Sequence, residues 1–533
     1  MDIRQIETII DEEHKKTMCF IVPYNQMVFD LLTTFEDLCS LTMLGVALNP
    51  FAIRKIVDYM DALNMALTWS HELCEGRSQD IKLKISEVRY EQCCKLLLNY
   101  AYPYSVICSG YIGYSRKRFE AEVEDNCVTF NFSKDQNQSV IADILREQEE
   151  GTTELLPFLL EWAELWQFRS DLKKDCSIEN GSLRYSIGPD ILDKSLSVAN
   201  KQWEATKTLP DDWKFDLFTL EEYRKTWVAI TAICYIHCLA YMTIADAEIR
   251  MNNEIICQKK RDIVEYIVEI TKLEESNVES IISYITYDPS KHNVDIMYQP
   301  VVSVDSDLLL IAPFLFVGSR PERNLLSVVS TRHDKAYSKE VNGLEELMVS
   351  ELKRYVKSPD IVEHRHLRDD LPDIDFAILD RTTASAIICE TKWFASADST
   401  KEVYAKEDEI THGCQQIEAI MGYALSDKNH FFKQVFGISD GESIDLFGCV
   451  VAKHNIRSQH KYVPVIGQKK FEDLLTAYPL NSVFHIIRNH EYEAALPSGA
   501  KIAHQSIDYA GFTFKIPAVC FENDIDIFEE PPL

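Results

Sequence analysis

The stretch Leu371–Trp393, LPDIDFAILDRTTASAIICETKW, decides how the second half of this 533-residue chain is read. Side chains alternate between faces along a strand. In the first part that rule puts Asp373, Asp375, Ala377 and Leu379 on one face, with Ile374, Phe376 and Ile378 on the other. In the second part Ile388, Glu390 and Lys392 share a face, with Ile387, Cys389 and Thr391 behind them. The link Arg381–Thr383 is short enough for a hairpin, so the two strands are expected to be antiparallel neighbours with the Asp375 end beside the Glu390 end. Two carboxylates and an ammonium at the end of a buried sheet are costly unless paired or metal-bound. Asp375 and Glu390 are hard oxygen donors suited to Mg²⁺ or Mn²⁺. Such an ion acidifies a bound water and offsets charge developing on a phosphate. Lys392, facing the same way, can orient or deprotonate the attacking water and stabilise the transition state.

Working outward, KEVNGLEELMVSELKRYV reads as an amphipathic helix, DIVEHRH as a further strand, THGCQQIEAIMGYAL as a helix and SIDLFGCVVAK as another strand. That order predicts an α/β sandwich around a mixed sheet. Upstream, FEDLCSLTMLGVAL, IRKIVDYMDALNMALTWSHEL and EYRKTWVAITAICYIHCLAYM repeat apolar residues at three- and four-residue spacing. From Val301, VVSVDSDLLLIAPFLFVG changes to short β-rich runs. The expected class is therefore α+β. A mainly helical region at 1–300 would serve recognition, regulation or oligomerisation, followed by a sheet domain at 301–515 and a loosely ordered acidic tail at 516–533.

Asp375, fourteen intervening residues and then Glu390-Thr391-Lys392 resemble the signature of the PD-(D/E)xK nuclease superfamily, which includes restriction endonucleases and Holliday-junction resolvases. The resemblance covers about 335–465, and it implies a restriction-endonuclease-like fold for that sandwich. It implies that Asp375, Glu390 and the Thr391 carbonyl ligate the metal while Lys392 assists the water. It further implies an acidic ligand on the preceding helix, where Glu346 fits best with Glu345 and Glu340 as rivals. A polar residue on the following helix is also implied, either Gln415 or Gln416, with Gln416 slightly favoured. A literal Pro372-Asp373 precedes the strand, yet Asp375 opens the apolar alternation and is preferred over Asp373. Bare ExK is uninformative, since Glu13/Lys15 and Glu351/Lys353 repeat it.

Composition limits the partners. Against 55 Lys and Arg stand 85 Asp and Glu, a formal charge of -30. A globally basic nucleic-acid surface is excluded, so a polyanion must meet a local patch. Val451–Lys470, with Lys453, Arg457, Lys461, Lys469 and Lys470 and no acid, is the candidate; the competing reading is a solvated basic loop. The acidic start MDIRQIETIIDEEHKK is unlike a secretory signal, and the 15 cysteines lack CxxC pairs, which predicts reduced thiols in the cytoplasm. Trp227–Ala245 is an uncharged run long enough for a bilayer, but a central core helix explains it equally well and no membrane is expected. No P-loop, Rossmann fingerprint or HExxH occurs. The expected function is a Mg²⁺- or Mn²⁺-dependent endonuclease on DNA, or RNA, in a context resembling bacterial restriction or antiphage defence. The rival readings are a catalytically silent scaffold of the same fold acting through its helical half, and a membrane-tethered effector.

Overall fold

In the computed structural model, Ile374–Asp380 and Ser385–Lys392 form the antiparallel hairpin, with Phe376 opposite Cys389 and Asp380 opposite Ser385. The structure describes residues 1–45, 50–74, 76, 83–133, 164–291, 295–304, 307–332, 335–357, 360–397, 400–456, 460, 462–493 and 500–521. The hairpin turn is fixed by its own polar groups. The Asp380 carboxylate accepts from the Thr382 amide and the Thr383 hydroxyl, both at 2.9 Å, and Ala384 turns the chain at φ 49°. Arg381 donates to both oxygens of Asp360, at 2.7 and 2.8 Å, and ties the turn to the edge strand.

The hairpin is the centre of a five-stranded mixed sheet. Its order is Val465–Gly467, Asp445–Ala452, Ser385–Lys392, Ile374–Asp380 and Asp360–Arg365, with the first three strands mutually parallel. Helices cover both faces. Phe376, Ile378, Ile387 and Cys389 pack against the helices Lys335–Lys353, Gln468–Ala477 and Leu480–Arg488. Ala377, Leu379, Ala386 and Ile388 pack against the long helix Thr400–Ser426 and its successor Lys428–Phe436. The period-two reading thus divides two cores, each buried large aliphatic side chain contributing about 1.5–3 kcal/mol.

The N-terminal core is built largely from helices, among them Tyr24–Gly45, Pro50–Leu73, Pro189–Thr206 and Leu220–Tyr241. The uncharged run lies mostly in Leu220–Tyr241, which a Thr219/Glu222 capping box starts and neighbours bury on nearly every side. Its His237 is paired with the Tyr185 hydroxyl at 3.0 Å and the Asn253 carbonyl at 2.9 Å, and burial brings its pKa down to about 4. Among the described residues no helix is long and apolar enough to cross a membrane. The cysteines whose side chains are described lie outside any disulfide.

The observed boundaries differ from the expected ones. Val301–Ser303 and Leu308–Ile311 pair with each other, and they join Thr286–Tyr287 and Ile256–Lys259 inside the N-terminal core. The sheet half therefore starts near Lys335 and not at 301, because the β-rich composition signals strands without naming their partners. At the other end, Ala500–Tyr509 and Phe512–Phe521 form a hairpin whose second strand pairs with Cys127–Phe132 of the N-terminal region. Phe514 and Ile516 are buried there with Val128, Phe130, Ile6 and Ile10. The expected tail at 516 is thus strand as far as Phe521, and 522–533 lie outside the described residues.

Candidate active site

The hairpin register, continued one pair beyond Phe376 and Cys389, brings Asp375 opposite Glu390. Asp375 Oδ2 accepts from the Thr391 amide at 2.7 Å and the Thr391 hydroxyl at 3.1 Å, which holds the carboxylate against the second strand. Lys392 Nζ donates to Glu390 Oε1 at 2.7 Å. The other oxygen, Oε2, is buried without a hydrogen-bond partner among the described residues. Asp373, by contrast, is exposed and turned toward His366 at 2.7 Å, so the acid at the cluster is Asp375.

The preceding helix adds a third carboxylate. Glu345 accepts from the Trp393 backbone amide and feels the charges of Lys392 and Asp375, whereas Glu346 is on the exposed face. The expected preference for Glu346 is therefore corrected by geometry: neighbouring helical positions point about 100° apart, and the packing of the helix turns Glu345 toward the sheet. On the following helix Gln416 is half-buried, and its Oε1 has no partner among the described residues, while Gln415 is exposed.

Sequence reasoning missed Gly413. A Cβ there would lie 3.0 Å from Lys392 Cε and 3.3 Å from Glu390 Cγ, so the missing side chain lets the helix lie directly on the pair. A glycine inside a long helix costs about 1 kcal/mol relative to alanine, and that local cost was the available signal. Gly413→Ala is expected to leave thermal stability unchanged or higher while cutting about tenfold any turnover that uses the Lys392 head group, which it would displace. Melting curves and initial rates of the purified variant check this, and an unchanged rate would refute the close-approach role.

The electrostatics follow from the burial. Glu390 is 3% exposed, and its pKa is raised to about 7 by burial first and then by Asp375 and Glu345, against the pull of Lys392. Glu345 is also raised, chiefly by burial. Burial alone would lower Lys392, but Glu390, Asp375 and Glu345 outweigh it and raise its pKa, so it stands as an ammonium at neutral pH. Because the folded-state value of Glu390 lies above its ordinary 4.5, folding favours the protonated form. Its contribution to stability is fully present below pH 4.5 and is lost as pH rises through about 7. The metal-free protein is therefore expected to lose on the order of 3 kcal/mol across that window relative to Glu390→Gln. Urea unfolding of both proteins between pH 4 and 8 checks it; parallel curves would contradict it.

Among the described residues no three His, Cys, Asp or Glu side chains meet as a ready-made metal cage. Mg²⁺ does not require one, since it keeps several waters and is commonly held by one or two carboxylates together with substrate phosphate. Asp375 and Glu390 would supply those two, and the unpartnered Glu390 Oε2 is a buried acceptor that a cation would satisfy. Those two carboxylates are the donors that would hold such an ion.

The expected basic patch is only partly gathered. Lys453 is half-buried at the end of its strand, its amide donating to the Lys392 carbonyl at 2.9 Å and its Nζ to Gln468 at 3.1 Å. Lys469 is exposed and paired with Asp473 at 3.3 Å, and Lys470 is exposed. Arg457 and Lys461 lie outside the described residues.

The N-terminal region grips the Gly413 helix near its start. Arg118 Nη2 meets Glu407 Oε1 at 3.0 Å, with both side chains at most 8% exposed, and Arg116 meets Asp408 at 3.0 Å at the surface. Both guanidinium groups lie over the Tyr404 ring. Arg323 pairs with Glu402 one turn earlier. Comparison with family models, with curated proteins and with solved structures finds no match to this chain.

Proposed function

We propose that the protein is a metal-dependent nuclease of the PD-(D/E)xK type that hydrolyses phosphodiester bonds of DNA or RNA. The observation that carries this reading is the meeting of Asp375, Glu390, Lys392 and Glu345 at one end of the hairpin. An accidental surface triad would not bury Glu390 and leave one of its oxygens unpaired.

Asp375 and Glu390, with the Thr391 carbonyl, would hold Mg²⁺ or Mn²⁺, and Glu345 stands beside them. When bound, such a cation supplies an acidified water and offsets negative charge on the phosphate. The Thr391 amide and hydroxyl fix Asp375, so the carboxylate is oriented before substrate arrives. Lys392 donates from its ammonium to the phosphate oxygens and to the attacking water. Its raised pKa makes it a charge-stabilising donor and not the base. Gln416 offers a neutral amide from the facing helix. The N-terminal region is then the regulating or recognising part, because it grips that helix through Arg118 and Arg323.

The test is calorimetric titration with Mn²⁺. Wild type is expected to bind the ion at a site that Asp375→Ala removes. Identical titrations of the two proteins would sink the metal-centre reading and leave a scaffold of this fold as the better account.

A further inference from the structure

Two pairs of cysteines stand close in space. Cys389 and Cys449 face each other across the parallel pairing of two central strands, their sulfurs 3.8 Å apart. Cys19 and Cys93 lie 4.0 Å apart, Cys19 on the single helical turn Met18–Ile21 and Cys93 on the helix Glu87–Lys95. A disulfide needs about 2.05 Å between its sulfurs, so each pair is one short approach from bonding, and distance alone favours the strand pair. Chemistry separates them, because the thiolate and not the thiol attacks an oxidant.

Burial pushes the Cys389 thiol well above its ordinary value, and the hydrogen bond and charge of Cys449 and the charge of Asp375 act in the same direction. In the other pair the two thiols differ. The hydrogen bond from Cys93 draws the Cys19 pKa down, against burial, with Arg89 helping and Asp30 opposing. The same hydrogen bond, joined by burial, holds Cys93 well above its ordinary value. One sulfur is therefore the better nucleophile while its neighbour keeps its proton. Arg89 is committed to Asp30 and to the Cys19 carbonyl, both at 2.8 Å, so its part is mainly to hold the turn in place. Access differs as well. Cys389 and Cys449 lie mid-sheet among Phe376, Ile387 and the covering helices. Cys19 is buried too, but it hangs from a four-residue turn whose Met18 and Ile21 are 70% and 71% exposed, so opening that turn alone admits a molecule the size of peroxide.

We infer that Cys19 and Cys93 are a peroxide-reactive pair that closes reversibly into a disulfide, Cys19 attacking and Cys93 resolving. The Cys19 thiolate sulfur attacks one oxygen of hydrogen peroxide, the O–O bond breaks, and the departing hydroxide takes up the proton that Cys19 released, giving water. Cys19 is then a sulfenic acid. The Cys93 sulfur displaces its hydroxyl group, which leaves with the Cys93 proton as a second water, and the S–S bond forms. Two thiols lose two electrons, one peroxide gains them, and a dithiol reverses the change by exchange. The link ties the turn to the helix across 74 positions of chain. It uses no part of the carboxylate cluster, so it stands or falls separately from the nuclease reading.

The experiment treats full-length wild type, Cys19→Ser and Cys93→Ser with a small excess of hydrogen peroxide, blocks the remaining thiols with N-ethylmaleimide, and maps unreduced peptides by mass spectrometry over time. In wild type the Cys19–Cys93 link is expected to form at least tenfold faster than any Cys389–Cys449 link and to vanish on treatment with dithiothreitol. Cys93→Ser is expected to stop at a Cys19 sulfenic acid that dimedone captures, and Cys19→Ser to leave Cys93 reduced. The wild-type result stands alone if a variant fails to fold. Cys19 left reduced in wild type, Cys19 linked instead to nearby Cys74, or a Cys389–Cys449 link forming as fast would each overturn the proposal.

Discussion

Lys392→Met is expected to lower phosphodiester hydrolysis by roughly 10²–10³-fold while leaving Mn²⁺ binding intact or tighter. Methionine keeps the apolar stem that lies under Gly413 and removes only the ammonium. In the folded protein that ammonium is 2.7 Å from Glu390, and three carboxylates hold its proton, so its proposed part is charge and donation. Losing it leaves Asp375, Glu390 and Glu345 without their cation, which strengthens their attraction for a divalent ion. A drop in turnover separated from metal affinity is therefore the signature of the role. If Mn²⁺ binding and turnover fell together, Lys392 would be holding the site in shape and not stabilising the reaction.

The second large effect concerns stability. Arg118→Ala is expected to cost about 3–5 kcal/mol, because it strands the Glu407 carboxylate in a buried position. Arg116→Ala, a few ångströms of chain away, should cost no more than about 1 kcal/mol, since Arg116 and Asp408 are 46% and 64% exposed. The contrast comes from desolvation, not from distance: both ion pairs measure 3.0 Å. Replacing both buried partners, Arg118→Met with Glu407→Leu, should recover most of the loss, because no charge is left unpaired. Urea unfolding of the four proteins gives the comparison. Equal losses for Arg118→Ala and Arg116→Ala would mean that the Arg118 pair is not buried in solution.

The parts of this molecule that could be read from the chain are those with short-range causes. The alternation in IDFAILD and SAIICETK, with charges at only one end of the face that Asp375 and Glu390 share, is enough to set the hairpin, its faces and the Asp375–Glu390 pairing. Choosing Glu345 over Glu346 needs the rotation of a helix about its own axis, which depends on Met348, Val349 and Leu352 seating against the sheet. The strand Phe512–Phe521 meets Cys127–Phe132 far upstream, Thr513 opposite Cys127, and nothing local announces that partner. Arg118 and Glu407 carry no mark in the sequence either, since their role arises only where two remote segments bury them together. The basic loop was legible as composition, but the Lys469–Asp473 pair and the placement of Lys453 in a cleft with Arg320 come from the fold.

Cleavage of a panel of single- and double-stranded DNA and RNA in Mg²⁺ or Mn²⁺, comparing wild type with the double variant Glu390→Ala/Lys392→Ala, decides whether the carboxylate cluster is a nuclease centre. Wild type is expected to cut at least one substrate only when the divalent ion is present, and the double variant is expected to cut none. Equal behaviour of the two proteins across all substrates and both metals would contradict it.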